Sequence, residues 1–283
     1  VPDVGPTAVL PRRPLTVGEL LDSAVLLLRG QARLLIPLAI PFALGEQLLL
    51  QPLRVMADAR PPEYWLDAGR LGSYWLLLAV GAGTEAAIIA LLGNPAARAA
   101  GAALLGHRAG VRELLRPAGA RWLATLLLAP LVGLAVEIAA LCGPAWFVAY
   151  GLLGAVIPAL VVDRLPAHRA PLRALGLAVR SGARAAGIRL LGYVGWWLVR
   201  LAVGLGVFYG LTRLGLVDLT DPAWAVAVAT AAWAGVNAVA YPALACLDAV
   251  LHLETRMRTE GLDIRLSRIP AGPPEPALLA VER

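Results

Sequence analysis

The chain has 283 residues, of which 59% are apolar and 16% charged, and a formal net charge of +6; the charged share sits well below the roughly 25% of soluble domains. Its mean hydropathy of +0.72 is carried by Leu, Ala, Val and Gly. No single globular core absorbs that much apolar surface and a bilayer does, so the composition argues against a soluble enzyme and for an all-α, polytopic membrane bundle. All 25 basic residues are Arg, a bias that suggests a GC-rich bacterial genome.

In chain order, Val1 to Arg13 is Pro-rich and aperiodic, and is expected to be a disordered tail. The membrane domain then runs over 14–268. Thr16-Val17-Gly18-Glu19 has the spacing of a capping box, so a helix starts there. Val17, Leu20, Leu21, Ala24, Val25 and Leu28 give it an apolar stripe, as in a helix lying at the membrane surface or packed under the bundle.

Stretches of about twenty residues with little charge predict six spans, at 34–53, 72–93, 122–142, 144–162, 190–211 and 224–247. The third and fourth are parted only by Gly143 and Pro144. A tight hairpin is preferred over one long broken helix, since Gly ends helices and Pro starts them. Pro37, Pro41, Pro130 and Pro158 are expected to kink or interrupt their spans. Residues 95–121 and 163–189 read as further helical stretches outside the membrane. The chain thereby reads as three successive units, each a surface helix followed by a two-span hairpin. Ile269 to Arg283 is again Pro-rich and expected to be a disordered tail.

Arg counts set the orientation. Residues 1–33, 94–121, 163–189 and 248–283 hold four, five, six and five Arg, against three in 54–71 and one in 212–222. Basic residues near span ends stay on the cytoplasmic side, so both termini are expected inside a bacterial inner membrane. No cleavable signal is expected ahead of the first span. Cys142 and Cys246 fall near opposite faces of the bilayer on this topology, too far apart to bridge.

The ionisable residues within spans are Glu46, Glu85, Glu137 and Arg200. Charges at this depth are costly unless paired, protonated or hydrated, and they form the candidate intramembrane polar cluster. At about 1.5 Å per residue, Arg200 lies about 16 Å from the cytoplasmic end of its span, Glu46 about 18, Glu85 about 12 and Glu137 about 22. Arg200 is therefore expected to pair with Glu46, with Glu85 the second choice and with Trp196 and Trp197 stacked on its guanidinium. Such a pair serves either as glue between spans or as part of a hydrated cavity. Gly206 and Gly210 have the Gly-x-x-x-Gly spacing of a close helix contact.

Arg169, Arg173, Arg180 and Arg184 recur on one helical face. That face is either simply solvated or contacts anionic phospholipid head groups or an acidic partner, at about 1 kcal/mol per Arg. No aromatic interleaving accompanies the Args, so no nucleic acid is expected.

The segment Ile157-Pro158-Ala159-Leu160-Val161-Val162-Asp163-Arg164, followed by Ala174-Leu175 and an Arg-rich helix to Arg189, resembles the glycerophosphoryl diester phosphodiesterase membrane domain family of multi-span actinobacterial proteins. The run from Arg13 to Asp22 and the run from Asp248 through Glu254 to Asp263 share the likeness. Ala178 departs from it, standing where such proteins often carry Ser. The resemblance implies an accessory membrane module of the cell envelope without assigned chemistry.

The phosphodiesterase in that family's name needs a His-Arg-Gly opening and paired acidic metal ligands. His107-Arg108-Ala109-Gly110 and His168-Arg169-Ala170 echo the opening without the acidic pair, and the third His, His252, is expected at the cytoplasmic surface. No catalytic residue, metal or cofactor is therefore expected. The favoured expectation is a non-enzymatic accessory or scaffold protein, held against anionic lipid or another envelope membrane protein. The alternative is a transporter or channel-like subunit using the intramembrane polar cluster, and an intramembrane enzyme acting on lipid ranks third.

Overall fold

In the computed structural model, which describes residues 10–59, 68–216, 222–268 and 276–281, the chain is a bundle of α-helices. They are α1 (Val17–Met56), α2 (Leu71–Leu104), α3 (Val111–Leu115), α4 (Trp122–Leu141), α5 (Ala145–Leu153), α6 (Val156–Val161), α7 (Ala170–Arg180), α8 (Arg184–Arg213), α9 (Pro222–Glu260) and α10 (Leu262–Ser267). Five of the long stretches, at Val17–Met56, Ala68–Leu104, Trp122–Leu141, Arg184–Arg213 and Ala223–Glu260, are long and apolar enough to cross a membrane. The fourth expected span appears as the pair α5 and α6, a shorter apolar stretch over Ala145–Val161.

The capping box forms: the Thr16 side chain accepts from the Glu19 N–H and the Glu19 carboxylate accepts from the Thr16 N–H at 2.8 Å. The surface helix expected after it is not separate. α1 continues unbroken for 40 residues, about 60 Å, or twice the thickness of a hydrocarbon core. Of its early apolar stripe, Leu20, Ala24 and Leu28 are buried and Leu21 is half-buried, because α2 and α9 extend alongside it, while Val17 and Val25 stay exposed. α2 likewise runs on to Leu104, so the surface stretch expected over 95–121 is divided between the end of α2 and the five-residue α3, and α9 runs on to Glu260.

α2 runs antiparallel to α1 and α4, and α9 antiparallel to α1 and α8, while the neighbours α2 and α9 run parallel. Ties between distant segments fix which ends lie together. At one end, Arg12 donates to the Leu104 carbonyl (3.1 Å), and Arg184 and Arg258 both donate to the Leu15 carbonyl. At the other, Arg70 donates to the Met56 carbonyl and the Trp75 indole to that of Leu141. The first of these ends carries most of the Arg and is called the basic end below. Both described chain ends lie there: Arg265 bonds the Leu278 and Ala280 carbonyls and the Val281 N–H bonds the Asp163 carbonyl.

Of the two tails expected to be disordered, 10–13 and 276–281 are thus packed on the bundle, and 1–9, 269–275 and 282–283 lie outside the described residues. Pro276–Leu279 forms a 3-10 turn whose Leu279 is buried, and Leu10 and Leu15 are buried as well. Isolated apolar residues in Pro-rich stretches leave no periodic trace in a sequence, yet one Leu suffices to seat a strap in a groove.

Gly143, at φ +72, makes the expected tight turn between α4 and α5. Of the prolines, only Pro158 accompanies a break. α1 passes through Pro37, Pro41 and Pro52, and α4 through Pro130, without interruption. The fourth stretch breaks at Gly154–Ala155, where the Pro158 ring opposes the carbonyl four residues before it. Gly154 is also the place where the Arg189 guanidinium lies against the backbone, so a Cβ there would collide with it.

α9 is the axis of the bundle. In its most apolar stretch 89% of residues are buried, against 17% for α8, which is therefore peripheral. The close glycine contact is not at Gly206 and Gly210, where an added Cβ would meet nothing within 4 Å. It lies between α2 and α4, where a Cβ on Gly133 would stand 2.6 Å from the Gly83 carbonyl and one on Gly83 2.7 Å from the Glu137 Cβ. Spacing alone marks small residues but not the helix that faces them; α8 meets α9 through Gly204 instead, against the Trp233 ring.

Candidate functional site

Between the halves of α1, α2, α8 and α9 remote from the basic end lies a cavity of about 980 Å³, at the upper end of the range for small-molecule sites. On α8 it is lined from Tyr193 to Tyr209, about 24 Å at helical rise. Its mouth reaches Arg54, Tyr74 and the α4–α5 turn at Gly143, and its floor holds Glu46, Glu85, Arg200, Asn237 and Tyr241. Nine of the lining residues are aromatic, Trp75, Trp146, Trp197 and Trp233 among them, and most of the rest are aliphatic.

The floor brings together three of the four intramembrane charges. Arg200 pairs with Glu85, Nη1 to Oε1, at 2.9 Å. This corrects the expected Arg200–Glu46 pair in favour of the second choice. Depth along a helix axis does not say which way a side chain faces: Glu46 turns toward α9 while Glu85 looks across the cavity to α8. The guanidinium lies near the Tyr193 and Tyr241 rings, at 5.3 and 5.7 Å from their centroids, and these two take the part expected of Trp196 and Trp197. Its Nε and Nη2 have no hydrogen-bond partner.

Glu46 is 4% exposed and is held by neutral donors. The Tyr241 hydroxyl and the Asn237 amide (3.2 Å) donate to Oε2, the Thr84 hydroxyl (3.2 Å) donates to Oε1, and the Gln47 amide lies at 3.5 Å. Glu85 also receives the Tyr193 hydroxyl at 3.4 Å. Glu137 stands apart, half-buried at the α2–α4 contact beside Gly83. It is absent from the cavity lining.

Below the floor, two further buried polar groups went unnoticed in the sequence. Arg189 of α8 grips Asp248 of α9 with two hydrogen bonds, 2.7 and 3.0 Å, and lies 4.0 Å from the centroid of the Tyr150 ring. Both residues sit at the edges of predicted spans, where charges read as flanks. At the basic end, the Asp163 carboxylate takes Arg173 Nε at 2.9 Å and Arg256 Nη1 at 2.9 Å, with His252 Nε2 at 2.8 Å. Burial raises the Asp163 pKa, and the neighbouring His252 and Arg256 more than reverse this, holding it at about 2. His252 is thus buried, contrary to its expected place at the surface.

The basic helix face is largely consumed by these internal ties. Arg173 reaches Asp163 and Glu260, and Arg184 reaches Glu254 at 2.9 Å. Arg180 is 61% exposed with Glu260 at 3.8 Å, and Arg169 is exposed. Arg173 and Arg184 of that face are thus engaged in internal ion pairs. Asp163 lies ten residues before Arg173 in the loop after α6, whereas Glu260 and Glu254 lie 87 and 70 residues away from Arg173 and Arg184 on α9, so only the folding of α7 and α8 against α9 reveals those two. Elsewhere at the basic end His107 lies 2.9 Å from Glu113, which holds that carboxyl below its ordinary pKa.

Cys142 and Cys246 are free, as expected. Among the described residues, no group of three or more His, Cys, Asp or Glu could hold a metal ion. The fold and the cavity define an α-helical bundle of membrane type with a polar-floored internal site. Set against family models, curated proteins and solved structures, the chain has no match.

Proposed function

We propose that this protein is a multi-pass bacterial inner-membrane protein that admits a small ligand into an intramembrane cavity, the transporter or channel-like reading rather than that of a sealed scaffold. The observation that carries it is the 980 Å³ cavity whose floor is Glu46, Glu85 and Arg200. A bundle serving only as glue gains nothing from leaving such a volume beside charged groups, since unfilled space forfeits packing contacts.

The Arg asymmetry supports six crossings with the basic end cytoplasmic, which makes the cavity open toward the outer face. An accessory role, implied by the family resemblance, finds support at one place: Leu172 and Val179 are exposed on α7 beside Arg169 and Arg180, an arrangement suited to anionic head groups.

Cysteine labelling tests the cavity. In a Cys142→Ser background, Ala82→Cys is expected to react with a membrane-impermeant maleimide added to the outer face of intact cells, whereas the native buried Cys246 stays unlabelled. No reaction at Ala82→Cys from that face, with a thiol at Tyr74→Cys reacting normally, overturns this reading.

A further inference from the structure

We infer that the cavity selects a lipophilic cation, an organic ammonium or phosphonium with an apolar or aromatic body, and that Glu46 is the counter-ion it meets. This rests on the ligand-admitting cavity proposed above.

Three observations converge on it. The first is charge. Arg200 is already matched by Glu85 at 2.9 Å, so within the floor Glu46 is the carboxylate left over, and the groups donating to it, Tyr241, Asn237, Thr84 and Gln47, are all neutral. Neutral donors solvate a buried carboxylate without cancelling its field, and a buried charge calls for an opposite one. The other cation on the lining, Arg54, is eight residues further along α1, about 12 Å at helical rise, and donates to Gln47 at 2.6 Å.

The second is the pattern of unpartnered atoms. Asn237 Oδ1, on a residue 4% exposed, is a buried acceptor without a hydrogen-bond donor. The amide nitrogen of the same side chain donates to Glu46 at 3.2 Å, so this acceptor stands beside the carboxylate on the floor. The unpartnered Nε and Nη2 of Arg200 lie close to the faces of Tyr193 and Tyr241, which partly compensate a guanidinium.

The third is the wall. Aromatic residues supply nine of the cavity's lining residues, although the whole chain has only eight Trp, six Tyr and three Phe. Aromatic faces attract cations and bury apolar bodies at once, and repel anions.

The test uses two compounds of the same shape and opposite charge. Tetraphenylphosphonium and tetraphenylborate are titrated into the full-length protein in dodecylmaltoside, with calorimetry and Trp fluorescence as readouts. Tetraphenylphosphonium is expected to bind saturably at one site and at least tenfold more tightly than tetraphenylborate. Glu46→Gln is expected to weaken the phosphonium tenfold or more, with an unchanged circular dichroism spectrum. Ala82→Phe, which fills the cavity and leaves every charge in place, is expected to abolish binding. If tetraphenylborate binds as tightly, or Glu46→Gln stays within twofold of the parent, the cation inference falls while the ligand-admitting cavity stands. If neither compound binds saturably, or Ala82→Phe binds as the parent does, the cavity reading falls with it.

Discussion

Arg189 and Asp248 face each other across the α8–α9 contact as a two-bonded ion pair, 4% and 6% exposed at their side chains, roofed by Tyr150 and lodged against Gly154. Removing one partner from such a pair strands a buried charge. Arg189→Leu or Asp248→Leu alone is expected to cost about 3–5 kcal/mol, and the double replacement far less, because no charge is left behind. Thermal unfolding in detergent measures this; equal losses for the single and double variants contradict it.

Arg200 is coupled to Glu85 rather than to Glu46. A double-mutant cycle between Arg200→Leu and Glu85→Leu is expected to give an interaction energy of roughly 1–3 kcal/mol, larger than the same cycle with Glu46→Leu. A larger coupling to Glu46 restores the pairing expected from depth alone.

Asp163 makes stability depend on acid pH. Its pKa lies at about 2 against the ordinary 3.8, so its contribution, on the order of 2 kcal/mol, is complete above about pH 4. It is lost as pH falls through the range between the two values, when the carboxyl facing Arg173, Arg256 and His252 is protonated. Unfolding of the parent is expected to become easier between pH 4 and 2, and that of Asp163→Asn, already weakened at pH 7, to change less over this interval. Parallel pH profiles for the two proteins refute the assignment.

The α2–α4 contact tolerates no side chain. Gly133→Val is expected to destabilise by about 1–3 kcal/mol through overpacking against the Gly83 carbonyl, while Gly206→Ala and Gly210→Ala are expected to stay within about 0.5 kcal/mol of the parent. A neutral Gly133→Val alongside a damaging Gly206→Ala reverses the assignment of the close contact.

Much was legible before folding. Long apolar stretches announced the helices, Thr16 and Glu19 announced where α1 begins, and Gly143 announced the α4–α5 turn, because each depends on neighbours within a few residues. The break at Pro158 was local too, although Pro37, Pro41 and Pro130 show that a proline in a packed helix need not interrupt it. The site was legible only in part. Glu46, Glu85 and Arg200 stand out as charges in apolar runs, whereas Asn237 and Tyr241, which hold Glu46, look like ordinary span residues.

What the linear order determines here is therefore which segments are helical and apolar and which residues carry charge within them, since one-dimensional patterns encode hydrophobic length and local hydrogen bonding. What only the tertiary structure decides is the partner of each charge: Glu85 and not Glu46 for Arg200, Asp248 for Arg189, and Asp163 with Glu260 for Arg173. The rotation of each helix about its axis sets those pairings, and packing against α9 fixes that rotation. The cavity follows for the same reason, being the space left where peripheral α8 stands off from its neighbours.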